Sequence, residues 1–338
     1  MADSLPALIA LISDAKSIVL STHRQCDGDG LGAQLGLYHA LKLIGKEVRV
    51  LNVDQTPKKY HFLRPDAYIQ CFESPHSPLG KTDLALILDT NDRRLLEPLY
   101  FEFERMCKHI VFIDHHPRLR NGPAPTEQSF IDPNAASTGE IAFQIIKALN
   151  IELNKDIAKA IYTSIVFDTQ LFRYVRNSPT SHLIAAELLK HEKSPDEVHR
   201  FLFANHSIAK IQFLSRAMEK IEYHLDGKIA ILRLEKEDLQ KHNMSTEDSR
   251  DLIDFVMNID TLIVGVMLRQ EAPQEYKLSF RSKGLIEVRT IAESFGGGGH
   301  LYAAGATVRS SYQEIRNSVI TGLTELIKKS FNEQKTQF

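Results

Sequence analysis

The rhythm of apolar and polar positions lays out the elements of this chain. In the first half, short apolar runs at Ser17–Thr22, Glu47–Val53, Leu84–Leu88 and Ile110–Ile113 alternate with stretches such as Leu31–Ile44, whose apolar residues recur at helical spacing. The runs at Leu84–Leu88 and Ile110–Ile113 are nearly continuous, as expected of strands covered on both faces. This alternation predicts a parallel sheet with crossover helices. Beyond Asp132 the pattern turns helical. Ser137-Thr-Gly-Glu140 has the form of a capping box ahead of the apolar run Ile141–Ile146. Further helices are expected over 155–167 and 181–190, with Pro179 near the start of the second. Pro195–Glu222 mixes polar and apolar residues without turn clusters and reads as a helical connector. A second set of strands follows at Lys228–Leu234, Thr261–Leu268 and Glu275–Arg281, with helices expected over 249–258, 288–294 and 312–328.

A chain of 338 residues is long for one core and suits two domains. The expected division is a larger α/β domain over 1–190, a helical linker over 191–224 and a smaller α/β domain over 225–332. Net charge is −2, so no global basic field is available to grip long nucleic acid, and an anionic substrate has to be drawn in locally. Three cysteines, Cys26, Cys71 and Cys107, show no paired spacing, which argues for a reducing compartment and against a disulfide scaffold or zinc ribbon. The N-terminal stretch has an early acid, no basic region and only the short apolar run Ala7–Ile12, so a first amphipathic helix is the simpler reading than a signal peptide. No apolar stretch approaches the ~20 residues needed to span a bilayer. A cytoplasmic protein is expected.

The candidate chemistry lies where these apolar elements end. His23, Asp27 and Asp29 follow the first strand, Asp89 the third and Asp114-His115-His116 the fourth, while Asp168 follows a helix. Loops at the carboxyl ends of strands are where open α/β sheets bind ligands. In an extended loop Asp27 and Asp29 would project to the same side, and Gly28, Gly30 and Gly32 would leave room for close approach. Each signal has a plainer alternative: Asp89, Asp114 and Asp168 could cap or turn, and the His pair could be structural. Gly28-x-Gly30-x-x-Ala33, with Asp54 after the next strand, also matches a dinucleotide-binding fingerprint. Two carboxylates beside a bare pyrophosphate would repel it, whereas they would hold divalent cations. Taken together, the acids and imidazoles point to a metal-dependent phosphoester hydrolase. Carboxylates suit Mg²⁺ or Mn²⁺, imidazole shifts the preference toward Mn²⁺, and the thiolate cluster of structural zinc is missing. The set is large enough for two cations about 3.5–4 Å apart.

The motifs His23-x-x-x-Asp27-x-Asp29, Asp89-Thr90, Asp114-His115-His116, Asp168-Thr169 and Gly296-Gly-Gly-Gly-His300-x-x-Ala303-Ala-Gly305 resemble those of the DHH phosphoesterase superfamily. In detail they are similar to its DHH–DHHA1 members, the nanoRNase/pAp-phosphatase group, over nearly the whole chain. The resemblance implies that His23, Asp27 and Asp89 hold one Mn²⁺ and that Asp29, Asp89, His115 and Asp168 hold a second, with Asp89 bridging. It implies that His116 contacts the scissile phosphate, that Asp114 orients the histidines, and that a hydroxide activated by the two metals attacks phosphorus in line. Cys26, Ala33 and Gln170 stand where the family has a proline, a serine and a glycine, and Cys26 brings in another metal preference or oxidation sensitivity as an alternative. The arginines of Asn91-Asp-Arg-Arg94 sit in a register different from that expected.

In the second domain, Gly296–Gly299 could expose backbone N–H groups as an anion nest, or could be a flexible loop; their setting between a helix and Ala303-Ala-Gly-Ala306 favours a close-packed turn. The resemblance makes Gly297, Gly298, Gly299 and His300 substrate-binding and Arg281 a phosphate clamp, a task suited to the guanidinium fork. A cleft between the domains would then select short oligonucleotides or small nucleotides. The expected activity is Mn²⁺-dependent hydrolysis of very short RNA, including pGpG, to mononucleotides, extending to 3′-phosphoadenosine-5′-phosphate (pAp). Cyclic-dinucleotide hydrolysis at the same site is the alternative; a nicotinamide dehydrogenase and a catalytically silent nucleotide sensor are competing classes. The partners expected are a short RNA or small nucleotide, with no long nucleic acid and no membrane, and a homodimer is left open.

Overall fold

A computed structural model describes residues 4–75, 78–119, 122–176, 178–249 and 252–335. The chain divides into two compact units, residues 1–205 and 206–338. The first unit runs α1 (Leu5–Asp14), β1 (Ser17–Thr22), α2 (Gly28–Leu43), β2 (Glu47–Asn52), β3 (Ile69–Cys71), β4 (Thr82–Leu88), α3 (Leu99–Met106), β5 (Cys107–Asp114), β6 (Phe130–Ile131), α4 (Thr138–Ala148), α5 (Lys155–Asp168), α6 (Thr180–Leu188) and α7 (Pro195–Phe203). Its strands form one sheet in the order β3-β2-β1-β4-β5-β6, and every recorded pairing is parallel. The order reverses between β1 and β4, which makes the carboxyl edge of those two strands a topological switch point.

The continuous apolar runs are explained by cover on both faces. Leu20, Leu86 and Ile113 face a core shared with Leu31, Ile141, Ile161 and Ile165. The intervening Val19, Ile87 and Phe112 face a second core with Phe103 of α3. Helices α2 and α5 pack closely enough that a Cβ on Gly32 would lie 2.5 Å from the Ala160 carbonyl oxygen, so a larger residue there would force the helices apart.

Helix α2 begins at Gly28, three residues earlier than its apolar period suggests, because Asp27 caps it. Helix α3 escaped the sequence reading, since Leu99-Tyr-Phe-Glu-Phe-Glu mixes strand-like and helix-like spacing within eight residues. The 195–222 stretch is helical as expected but interrupted. Helix α7 buries Val198 and Leu202 in the first unit's core. After Ser207, which caps the next helix, the chain enters the second unit as α8 (Ile208–Met218) and closes as a strand, β7 (Ile221–His224).

The second unit continues with β8 (Ile229–Leu234), α9 (Lys236–Lys241), α10 (Leu252–Val256), β9 (Val264–Ala272), β10 (Glu275–Ser282), α11 (Val288–Ser294), β11 (Gly298–Gly299), β12 (Ala303–Arg309) and α12 (Tyr312–Lys335). Its sheet has the order β11-β12-β10-β9-β8-β7, with β8 and β9 parallel and the other recorded pairs antiparallel. One face packs on α11 and α12 through Leu278, Phe280, Ile291 and Leu323; the other packs on α8, α9 and α10 through Leu232, Met267, Phe213 and Leu252. The helix expected over 249–258 is seen at its centre as α10, and positions 250 and 251 lie outside the described residues.

Candidate functional site

The ends of β1, β4 and β5 and the termini of α2, α4 and α5 deliver the acids and imidazoles to one place. Asp27 is the N-cap of α2: its Oδ1 accepts from the N–H groups of Asp29 (3.0 Å) and Gly30 (3.4 Å). The extended loop expected here is therefore a helix start, and Asp27 and Asp29 do not share one set of neighbours. Asp27 groups with His23 and Asp89, and Asp29 with His115 and Asp168, the potential ligand atoms of each group lying within 4.8 Å of one another.

Asp89 stands between the two groups. It follows β4 with a left-handed φ of +64°, and its N–H extends the ladder to the Ile113 carbonyl (2.9 Å). Its Oδ2 lies 3.5 Å from His23 Nε2, and its Oδ1 lies 3.8 Å from His115 Nε2. Gly30 makes this approach sterically feasible, because a Cβ there would sit 3.2 Å from Asp89 Oδ2 and 2.3 Å from Thr22 Oγ1.

Asp29 is 1% exposed. Its oxygens accept from Thr138 N–H (2.8 Å), Gly139 N–H (3.2 Å) and the Ser164 hydroxyl, and Thr138 Oγ1 donates to Asp89 Oδ1 (3.0 Å). The N-terminus of α4 thus serves Asp29. Ser137-Thr-Gly-Glu140 signals the cap but not this second use. Ser137 Oγ accepts from Glu140 N–H as a cap should, while the Glu140 carboxylate turns to Ala136 N–H (3.0 Å) and the Ser181 hydroxyl, so the reciprocal half of the box is replaced. Thr138, Gly139 and Ser164 were not foreseen, because short polar side chains and backbone amides leave no charge signature in a sequence.

His115 is fully buried, and its Nδ1 lies 3.3 Å from the Ala135 carbonyl oxygen. That contact requires a proton on Nδ1, so the neutral ring turns its Nε2 lone pair toward Asp168 Oδ2 (3.4 Å) and Asp29 Oδ2 (3.5 Å). Burial, with the charge of His116 next, depresses the His115 imidazole to about 3. A lone pair facing carboxylates is repulsive unless a cation lies between them. Bonds of about 2.0–2.2 Å to such a cation suit ligand atoms this far apart.

Asp114 is buried outside those two groups and makes a further one with Asp89 and His116. Its Oδ2 accepts from Asn91 Nδ2 (2.6 Å), and its Oδ1 accepts from His116 N–H (3.1 Å) and His116 Nδ1 (2.8 Å). It orients His116, and the Ala135 carbonyl lies against His115 Nδ1. Although burial opposes charge on His116, the Asp114 carboxylate raises that imidazole to about 9. Burial likewise pushes Asp114 up, but the two histidines hold it below its ordinary value. Burial raises Asp29 to about 7, and burial with the neighbouring carboxylates, Asp29 first among them, drives Asp89 and Asp168 well above the ordinary range. The cluster is short of positive charge, and its oxygen and imidazole donors fit divalent cations.

In the second unit, Arg281 pairs across the ladder with Ala303, and His300 closes a tight turn onto the same residue, donating its N–H to the Ala303 carbonyl (2.8 Å). Arg281 and His300 thus flank Ala303 at one end of the sheet. Arg281 Nε donates to Asp254 Oδ1 (3.2 Å) and Nη1 to the Phe280 carbonyl (3.1 Å). The N–H groups of Gly296 and Gly297 bond to Glu293 and Ala292 carbonyls at the end of α11, and Gly298 and Gly299 pair with Gly305 and Ala304. The close-packed turn is present: a Cβ on Gly297 would lie 2.0 Å from the Gly305 carbonyl oxygen.

Residues 17–165 match the DHH family, N-terminal domain, and residues 226–329 match the DHHA1 domain. The chain belongs to the DHH–DHHA1 phosphoesterases. It is 29% identical over 314 residues to the bifunctional oligoribonuclease and PAP phosphatase NrnA of Thermus thermophilus, covering 91% of this chain and 90% of that protein. It is 24% identical to the cyclic-di-AMP phosphodiesterase GdpP of Geobacillus thermodenitrificans, covering 93% of this chain and 48% of that protein. Among solved structures, an exopolyphosphatase-related protein from Bacteroides fragilis superposes with a TM-score of 0.81 at 24% identity, covering 98% of this chain and 96% of that chain, a likeness of fold.

As a DHH phosphoesterase the chain is a phosphoric ester hydrolase. The dinucleotide fingerprint does not operate here: the first amides of α2 are committed to the Asp27 carboxylate, and Asp54 Oδ2 accepts from Gln25 N–H (2.8 Å). Of the departures from the family pattern, Cys26 and Ala33 are buried in the apolar core, whereas Gln170 takes a left-handed φ of +47° that a glycine would adopt without strain.

Proposed function

We propose that this protein hydrolyses very short oligoribonucleotides such as pGpG to mononucleotides, and pAp to AMP, with two divalent cations, Mn²⁺ in the cell. The observation that carries this reading is the position of Asp89, one oxygen toward His23 and the other toward His115, between two ligand groups. In this reading His23, Asp27 and Asp89 hold one cation, and Asp29, Asp89, His115 and Asp168 the other. Cations bound there supply a nucleophilic water at neutral pH and offset phosphate charge. Thr138, Gly139 and Ser164 fix Asp29, and Asn91 fixes Asp114, so the donors are held before substrate arrives. Asp114 keeps His116 protonated at neutral pH, ready to donate to a phosphate oxygen or to the departing ribose oxygen. Arg281, Gly297, Gly298, Gly299 and His300 are the substrate-binding residues of the domain over 225–332, and residues 1–190 are the catalytic domain.

The 90% coverage of an oligoribonuclease and PAP phosphatase supports this substrate class. The near-neutral net charge, which offers no global basic field for long polyanions, agrees with it. A cytoplasmic setting agrees with Cys26, Cys71 and Cys107 forming no disulfide and with no helix among the described residues being long and apolar enough to cross a membrane. Likeness to a cyclic-di-AMP phosphodiesterase supports a second reading, in which the same centre opens cyclic dinucleotides. The deciding experiment assays phosphorylated di- to pentanucleotides, pAp and cyclic dinucleotides with Mn²⁺ and with EDTA. Mononucleotide release from the linear compounds and from pAp, abolished by EDTA, is expected. Turnover of the cyclic compounds alone would overturn the first reading, and turnover that survives EDTA would overturn both.

A further inference from the structure

Directly after Asp168 the backbone adopts an unusual course. Gln170, Leu171 and Phe172 are consecutively left-handed, at φ +47°, +63° and +64°, a region that residues with side chains rarely occupy even singly. The turn is fixed from several directions. The buried Thr169 hydroxyl donates to the Ile165 carbonyl (2.6 Å) and accepts from Phe172 N–H (3.0 Å). Leu171 N–H reaches the Val166 carbonyl (3.0 Å), and Tyr174 N–H reaches the Thr169 carbonyl (2.9 Å). The Phe172 ring packs on His182 at 5.1 Å between centroids.

Those buried anchors account for the stability of the turn but not for what it displays. Tyr174 is 46% exposed, and the Arg173 guanidinium lies over its ring at 5.4 Å. Arg176 is exposed, and its charge reaches both Asp168 and His115. An aromatic ring, an arginine backing it and a second arginine at the far end of the turn that follows Asp168 form a set that recognises a base and its phosphate together. A rigid turn presents them at little entropic cost on binding.

We propose that the turn Gln170–Arg176 is a nucleotide-binding element of the catalytic unit: Arg176 engages the substrate phosphate beside Asp168, and Tyr174, backed by Arg173, stacks the base of the same nucleotide. This rests on the short-oligonucleotide reading above. It assigns base recognition to the unit that carries the acids, separate from Arg281 and His300.

The test compares a 5′-phosphorylated dinucleotide with its abasic counterpart as substrates of the full chain in Mn²⁺. In parallel, the affinity of a slowly cleaved phosphorothioate dinucleotide is measured by calorimetry. Tyr174→Ala should raise KM and Kd for the base-bearing compounds about tenfold and leave the abasic KM unchanged, with Tyr174→Phe close to wild type. Arg176→Ala should lower kcat/KM for both substrates about tenfold, and Arg176→Lys should restore part of it. Unchanged KM and Kd in Tyr174→Ala, or an equal rise for base-bearing and abasic compounds, would overturn the stacking role. Unchanged kcat/KM in Arg176→Ala would overturn the phosphate role. Wild-type protein that turns over neither substrate would instead overturn the oligonucleotide reading, and the calorimetric comparison would still decide on the turn.

Discussion

At the carboxyl edge of β1, β4 and β5, Asp29, Asp89 and Asp114 are buried together with His115, whereas at the end of the second sheet Arg281 is half-buried and paired with Asp254. The first arrangement holds several acids away from water with their protons displaced upward, and a neutral imidazole turns its lone pair toward them. The second has its arginine matched by a carboxylate. A site under electrostatic tension favours cations, and losing a member disturbs the rest. A site already at rest can lose a residue and forfeit only that residue's share of binding. The contrast predicts two signatures: all-or-none effects on turnover in the first unit, and graded effects on affinity in the second.

The strongest way to break the contrast is Asp89→Asn. Asparagine tolerates the left-handed backbone at this position, so the change isolates the charge. Turnover should fall well beyond the roughly 10–100-fold typical of losing an outer partner of a metal ligand, because both groups share this carboxylate. The metal-free protein should meanwhile gain several degrees in Tm, since one of several repelling buried acids has been neutralised. A thermal melt and a Mn²⁺ assay on one preparation check both; retained activity or a lowered Tm would mean that the cluster is under no such tension.

The pH dependence of the metal-free protein sharpens the same point. Burial pushes folded Asp29 up to about 7 from an ordinary value near 4, so the folded state binds the proton more tightly and stability falls as pH rises between those values. Asp89 and Asp168 act in the same direction, and so does His116, whose raised value gives stability that is lost toward pH 9. His115, depressed to about 3, opposes them below its ordinary value, one imidazole against three carboxyls. Metal-free Tm should therefore be lower at pH 7.5 than at pH 5, and Mn²⁺ should raise it more at the higher pH. A flat or rising metal-free profile over that window would contradict the assignment.

Why the first site was legible and the second less so follows from the physics of each. Acids and imidazoles at the ends of apolar runs are improbable by chance, so His23, Asp27, Asp29, Asp89, Asp114, His115, His116 and Asp168 stand out in a sequence. What sequence could not show is which oxygen faces which neighbour. Asp27 and Asp29, two residues apart, looked like partners in one extended loop, but the helix cap separates them. Thr138 and Gly139 were read as a helix start, which they are, and their second service to Asp29 depends on a fold that brings residues over a hundred positions apart into contact. In the glycine run, the Gly296 and Gly297 amides close the end of α11, while Gly298 and Gly299 lie opposite Gly305 and Ala304, partners that only the fold supplies.

Arg281→Ala tests the resting site. The expected result is a rise of about tenfold in KM for short substrates, the worth of a charged hydrogen bond, with kcat at saturation within about twofold. Melting should change little, because the pair with Asp254 is partly exposed and such pairs contribute little to stability. A collapse of kcat would show that this residue belongs with the first class of effects, and the contrast would fail.

The smallest effect should come from Gln170→Gly, in the strained turn beyond Asp168. At φ +47° glutamine carries a Cβ penalty that glycine avoids, and its side chain makes no hydrogen bond with the described residues. Against that gain stands the greater freedom of glycine in the unfolded chain, of order 0.5–1 kcal/mol. The net should be a stabilisation of about 0.5 kcal/mol, readable as a small rise in denaturant midpoint at unchanged slope. Turnover should stay within about twofold, because Thr169 and Phe172 still anchor the turn. A lowered midpoint would show that residue 170 makes apolar contacts outweighing its backbone cost. A large loss of kcat/KM without loss of stability would show that the rigidity of this turn, and not only its shape, is part of how the acidic centre meets its substrate.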